Sequence, residues 1–192
     1  MHCVGILLAA GRGRRFDPDG LQNKLLQALA DGEAVAVHSA RHLSQALDRI
    51  LIVVHPDARD LQTLLASKNF ATTICENATA GMGHSLAHAI AQSADACGWI
   101  IALADMPHVK SSTIAALDAA ICDGANIAVP INQGKRGNPV GFSSRYRNAL
   151  LQLHGDRGAR HLLIDADVIE VAVDDAGIFL DIDVPLDLQK LL

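Results

Sequence analysis

Val4-Gly-Ile-Leu-Leu-Ala-Ala-Gly-Arg-Gly-Arg-Arg-Phe16 joins an unbroken apolar run to two glycines and then to clustered positive charge. Val4 to Ala10 has the length and continuous apolarity of a strand buried on both faces, as parallel strands covered by helices are. Gly11 and Gly13 end it. Without a Cβ the backbone turns sharply there and brings its N–H groups close to a ligand, while Arg12, Arg14, Arg15 and, further on, Lys24 supply charge for phosphate. The stretch reads as a cradle for a polyphosphate. Two better-known glycine loops fail on spacing. The dinucleotide fingerprint needs a third glycine or alanine where Phe16 stands, and the Gly-Lys-Ser/Thr of the NTPase loop is absent. An NAD-binding oxidoreductase is thereby disfavoured.

The rest of the chain fits a covered parallel sheet. Half of the 192 residues are hydrophobic but only 3% are aromatic, so the core must be Ala, Val, Ile and Leu. That length suits one domain spanning 1–192. A formal net charge of −5, with the positive charge gathered near one loop, argues against a nucleic-acid groove, which needs an extended basic surface. Cys3, Cys75, Cys97 and Cys122 are scattered without zinc-binding spacing and read as reduced core residues. The opening apolar run is too short for a membrane span and carries its arginines after it, so a cytoplasmic protein with no membrane partner is expected.

Downstream, Asp17-Pro-Asp-Gly20 is a turn leading to Lys24 and the apolar Leu25 to Leu29. Ala34 to Leu47 and Ala58 to Ser67 read as helices, Ile50 to Val54 and Ala71 to Cys75 as strands. Gly81-Met-Gly83 precedes a helix expected over Ser85 to Ser93, and Trp99 to Leu103 is the next strand. Ser111 or Ser112 is the expected cap of a helix running to about Cys122. Ile127 to Pro130, Pro139 to Phe142 and Val168 to Val173 read as strands, Arg145 to Leu153 and Ala159 to Ile164 as short helices. Pro185 opens a last helix. This alternation predicts an α/β, Rossmann-like three-layer sandwich with a mostly parallel sheet. Its ligands belong beyond the carboxyl ends of the strands, beside the glycine loop, the Gly81 loop and Asp105.

Asp105 directly follows a buried strand, a position where its carboxylate serves either as a ligand for Mg²⁺ or as a turn residue accepting backbone N–H bonds. Asp181-Ile-Asp183-Val-Pro is a second acidic element, read as a strand-to-helix junction, where a helix N-terminus favours carboxylates regardless of function. Among nine histidines, His84 and His88 stand i and i+4 on the expected helix without an evident third ligand, and His108 lies near Asp105.

Six elements occur in order: Leu8-Ala-Ala-Gly, Gly81-Met-Gly-x-Ser85-Leu, Ala104-Asp-Met-Pro107, Arg136-Gly-Asn-Pro-Val140, Gly155-Asp-x-Gly-Ala-Arg160 and Asp181-Ile-Asp-x-Pro185. Spanning nearly the whole chain, they resemble the molybdenum cofactor cytidylyltransferases, relatives of the molybdopterin guanylyltransferases. The resemblance implies the nucleotidyltransferase fold, Mg²⁺, CTP, and molybdopterin or its molybdenum-loaded form as acceptor of CMP, with a molybdenum hydroxylase as a further partner. It also implies roles. Gly11, Gly13, Arg15 and Lys24 would hold the triphosphate, Leu8, Ala9 and Ala10 the base side, Gly81, Gly83 and Ser85 the nucleotide wall. Asp105, and by comparison with sugar-nucleotide relatives Asp183, would bind the metal. Asn138 would face the second substrate, and Arg157 or Arg160 would meet its phosphate. The chain departs from the family pattern in a longer run between Arg15 and Lys24, and in Asn23 where aspartate is common. A GTP-using guanylyltransferase, a sugar-phosphate nucleotidyltransferase and a non-catalytic carrier of the nucleotide form of the cofactor remain as alternatives.

Overall fold

The computed structural model describes residues 2–156, 158–164 and 166–190. Its centre is β1 (Val4–Ala9), flanked in parallel by β2 (Ile50–Val54) and β4 (Gly98–Leu103), with β3 (Thr72–Ile74) parallel to β2 at one edge. On the other side β7 (Val140–Ser143) runs antiparallel between β4 and β5 (Ile127–Asn132). Short β6 (Lys135–Arg136) pairs with the end of β5, and β8 (Val168–Ala172) pairs with β5 in parallel. The eight strands form one mixed sheet in which β5 and β8 run parallel to the central strands.

Side chains alternate across β1, and both faces are apolar. Cys3, Leu7 and Ala9 enter one core with α1 (Val35–Ala46), α2 (Arg59–Ser67) and α4 (Ser111–Cys122). Val4, Ile6 and Ala10 enter the other with α3 (Met82–Gln92) and α5 (Arg147–Leu151). This is the predicted α/β three-layer arrangement. Two right-handed crossovers in one direction put α1 and α2 on the same face, and the reversal from β3 back past β1 to β4 puts α3 on the opposite one. That reversal opens a crevice at the carboxyl ends of β1 and β4.

Three local expectations need correction. Neither Ser111 nor Ser112 caps α4: the N-cap is Lys110, whose own side chain makes no capping bond. The service comes from 65 residues away, where buried Asp175 accepts from the Lys110 N–H at 2.8 Å, while also taking the Thr113 hydroxyl at 2.6 Å. Second, α3 starts at Met82 rather than Ser85, because Gly81, with φ of 120°, makes the turn into the helix immediately. Third, no strand directly precedes Asp181; a 3₁₀ turn, Ala176–Phe179, intervenes before α6 (Pro185–Lys190). Pro185 is the first residue of α6, and the Asp187 carboxylate accepts the N–H groups of Asp183 and Val184, closing the helix start. No helix among the described residues is long and apolar enough to cross a membrane.

Candidate active site

The crevice is a cleft of about 500 Å³ whose walls come from the glycine loop, the turn at Lys24, the start of α3, and the segments at Asp105 and Asp183. Its glycine loop is held from both ends. Gly13 has φ of 60°, the left-handed region that favours glycine, and its carbonyl accepts the N–H groups of Phe16 and Asp17 at 2.8 and 3.1 Å. Phe16 is buried and anchors the loop in the core beside α1. Arg12, just before Gly13, and Arg14 and Arg15, between Gly13 and Phe16, are exposed and line the cleft. Arg12 also leans on the end of β2, with a guanidinium nitrogen 3.5 Å from His55 Nε2 and 3.8 Å from an Asp57 oxygen.

Asn23 does what an aspartate does at this position. Its side-chain oxygen accepts the Leu25 N–H at 3.0 Å and so caps the 3₁₀ turn Lys24–Leu26. Leu25 is driven into the core, which fixes the direction of Lys24. The ammonium donates to Asp105 Oδ2 at 2.5 Å, to the Ile182 carbonyl at 2.7 Å and to Asp183 Oδ1 at 3.4 Å. The other oxygen of Asp183 takes a hydrogen bond from the Arg15 guanidinium. Backbone pairing holds the carboxylates in place: the Ala104 N–H donates to Leu8 in β1, and the Ile182 N–H donates to the Asp105 carbonyl at 2.9 Å. Buried Ile182 thus pins the 181–183 segment against the end of β4.

A divalent cation fits this pair. Asp105 Oδ1 is buried and has no hydrogen-bond partner among the described residues, which is costly unless a ligand supplies one. Two carboxylates, with the remaining sites left to phosphate and water, match what Mg²⁺ takes from proteins. Both carboxylates now rest on Lys24, so an ion would share or displace that ammonium.

The structure brings together Leu8, Ala10, Gly11, Gly13, Arg15, Lys24, Gly81, Ser85, Asp105 and Asp183 around the cleft. Others lie elsewhere. Ala9 points to the opposite face of β1, into the core with α1, by strand alternation. Gly83 lies under the 154–156 loop: its N–H donates to the Gly155 carbonyl at 2.9 Å, and a Cβ there would stand 2.7 Å from the His154 nitrogen. Gly81 packs against the same loop. Asn138 lines a small gap with His42, Met106 and Pro139, outside the cleft. Arg160 is exposed on the 3₁₀ turn Ala159–Leu163, and Arg157 lies outside the described residues. His88 bonds to the Thr73 hydroxyl and His84 to the Gly155 N–H, both packing roles. Asp156 lines the cleft as a third carboxylate, and Thr79 and Met82 line it too. Asp156 stands in the Gly155-Asp motif, but nothing in its sequence neighbourhood separates a cleft carboxylate from a turn residue beside the arginines.

Residues 5–170 match the family described as the MobA-like NTP transferase domain. No curated protein matches the chain in sequence. The crystal structure of Rv0371c from Mycobacterium tuberculosis H37Rv is similar with a TM-score of 0.86 and 27% identity, covering 100% of this chain and 97% of that one. Its complex with manganese gives 0.82 and 27%, covering 100% and 98%. Molybdopterin-guanine dinucleotide biosynthesis protein A from Archaeoglobus fulgidus gives 0.70 at 18% identity, covering 98% and 96%, a likeness of fold. Since the family match begins inside β1 and ends inside β8, enclosing the glycine loop and Asp105, the chain belongs to the MobA-like NTP transferase family and is a nucleotidyltransferase.

Proposed function

We propose that this nucleotidyltransferase moves CMP from CTP to the terminal phosphate of molybdopterin, with or without bound molybdenum, releasing pyrophosphate and forming molybdopterin cytosine dinucleotide. The observation that carries the reading is Lys24 between Asp105 and Asp183, in the cleft that the Gly11–Gly13 loop lines and with its side chain running beside Gly13. Mg²⁺, when bound by Asp105 and Asp183, neutralises charge on the phosphates. The chain's own groups do the rest. N–H groups of Gly11 and Gly13 hold the polyphosphate, and Arg15 and Lys24 stabilise charge on the transferring group.

A phosphate monoester is already an anionic nucleophile, so the protein need only align it with the α-phosphorus. In keeping with this, no histidine or cysteine lines the cleft among the described residues. Cytosine is favoured over guanine by Ala10, whose methyl sits with Leu8 on the cleft face of β1 and narrows the space for a base. Steric narrowing alone discriminates weakly, so hydrogen bonds from backbone groups near Ala10 and Gly81 must add to it. The product dinucleotide would be passed to a molybdenum hydroxylase.

The test is pyrophosphate release with Mg²⁺, molybdopterin and each NTP in turn. A higher kcat/KM for CTP than for GTP is expected. Equal values or a preference for GTP would overturn the cytidylyl assignment, and nucleotide binding without release would make the protein a carrier.

A further inference from the structure

At the end of the sheet away from the cleft, three cysteines that are far apart in sequence converge. Cys3 and Cys97 immediately precede the neighbouring strands β1 and β4, and Cys122 ends α4. Their sulfurs all lie within 4.8 Å of one another, and the ligand atoms of His2, Asp118 and Cys122 meet the same limit. We propose that Cys3, Cys97 and Cys122, with Asp118 or His2 as a fourth donor, form a binding site for one thiophilic divalent cation of the Zn²⁺ class.

The geometry is close to what such an ion needs. Two sulfurs bound at ~2.3 Å to one ion lie at most ~4.6 Å apart, and ~3.8 Å apart in a tetrahedron, so small side-chain adjustments complete the set. Gly98 leaves the room: a Cβ there would stand 3.0 Å from the Cys3 sulfur. Asp118 is buried beneath the cluster and accepts from the Cys3 N–H at 2.8 Å, while its other oxygen is 2.8 Å from His2 Nδ1. A carboxylate holding a histidine in this way is a common outer support of a metal site.

Cys122 is exposed, which gives the ion a path in. β1 separates the cluster from the cleft by about 20 Å, six residues at ~3.3 Å each, so the two sites share no ligand. The bound ion would tie the starts of two central strands to the end of α4.

The full-length chain, reduced and stripped of metal with a chelator, is titrated with Co²⁺ alone and then with Zn²⁺. One equivalent of Co²⁺ should give thiolate-to-cobalt charge-transfer absorption that Zn²⁺ bleaches. Cys97→Ser and Cys122→Ser should each abolish the band, while Cys75→Ser, at the other end of the sheet, should keep it. Zn²⁺ at about 100 times its Kd should raise the Tm of the reduced wild type by about 5–10 °C and leave that of folded Cys122→Ser unchanged. No charge-transfer band in the reduced wild type, or a band that survives in both Cys97→Ser and Cys122→Ser, would overturn the proposal. Oxidation of the cluster to a disulfide with no Co²⁺ uptake after reduction would overturn it equally.

Discussion

Lys24 and Asp105 are 81 residues apart in the chain and in direct contact, ammonium to carboxylate, at 2.5 Å. The same ammonium reaches Asp183, so one cation holds two carboxylates that would otherwise repel. Lys24→Met should therefore lower stability by about 3 kcal/mol in the absence of divalent metal, the usual cost of leaving buried charge unpaired. Mg²⁺ or Mn²⁺ should restore much of that loss, because a dication on Asp105 and Asp183 replaces the missing charge. Urea denaturation with and without metal measures both effects. An identical loss under the two conditions would show that the carboxylates do not take the ion.

Two cleft glycines should respond oppositely to alanine. A Cβ on Gly11 meets nothing within 4 Å, whereas one on Gly81 would stand 2.2 Å from the Gly155 carbonyl carbon at a φ of 120°. Gly81→Ala should cost about 2–3 kcal/mol of stability through strain and overpacking. Gly11→Ala should leave the unfolding midpoint unchanged and weaken nucleotide binding at least about tenfold, since the methyl occupies the approach to the phosphates. Calorimetric titration with nucleotide, run beside thermal unfolding, separates the two. Undiminished affinity in Gly11→Ala would remove the loop from the phosphate site.

Asp175 organises the junction behind the site. Besides the Lys110 N–H and the Thr113 hydroxyl, it accepts the Gly177 N–H at 2.9 Å, so one buried carboxylate serves three donors. Asp175→Ala should destabilise the protein by about 3 kcal/mol, more than an ordinary cap deletion, because two buried donors and a half-buried one lose their partner together. Asp175→Asn keeps one of the two accepting oxygens, enough for the Lys110 and Thr113 pair on Oδ2, and should lose about half as much. Equal losses in the two variants, measured by denaturant unfolding, would mean that the charge rather than the acceptor geometry matters.

Stability should fall on mild acidification because of His42 and His108. Burial depresses both imidazoles below the ordinary value of 6.5, only partly offset by a backbone hydrogen bond involving Val109 for His42 and by Asp175 for His108. The neighbouring His38, and Arg41 beside His42, add to the depression. A folded pKa below the unfolded one means that the unfolded chain takes up the proton first. Stability is then full above about pH 6.5 and declines as pH falls through that value. The carboxylates Asp31 and Glu33, held low by hydrogen bonds from their neighbours, lose their contribution only in a more acidic window. Unfolding midpoints at pH 7.5 and 5.5 should differ in wild type and converge in the His42→Asn, His108→Asn double variant. A pH slope that persists in the double variant would assign the effect to other groups.

Most of the sheet was legible because its strands are buried on both faces and announce themselves as unbroken apolar runs. Val4 to Ala10, Ile50 to Val54 and Trp99 to Leu103 each fall within a residue of the observed strand. Contacts between distant parts of the chain were not legible. Nothing near Lys110 in sequence reveals Asp175 as its cap, and no spacing rule brings Cys3, Cys97 and Cys122 together. That the glycine loop, Lys24 and Asp105 meet at one cleft could be read because each carries its place locally, as a strand end followed by a turn or charge. Gly83 and Asn138 misled because their residue types suit a ligand and a packed backbone equally well, and only the position of the 154–156 loop and of His42 decides between them.

The three oxygens that meet the Lys24 ammonium come from residues 105, 182 and 183, so for a chain made from its amino end the site waits on segments made long after the glycine loop. While the ribosome is still supplying β5 to β8, the arginine loop exists without Asp183, its counter-charge. The pairing of β1 with β4 must itself close a loop of some 95 residues, which makes the crevice slow to form. The Lys24 centre therefore stays incomplete until residues 181–183 have been made, and loss of the residues from 181 onward would leave the glycine loop intact but its electrostatics unbalanced.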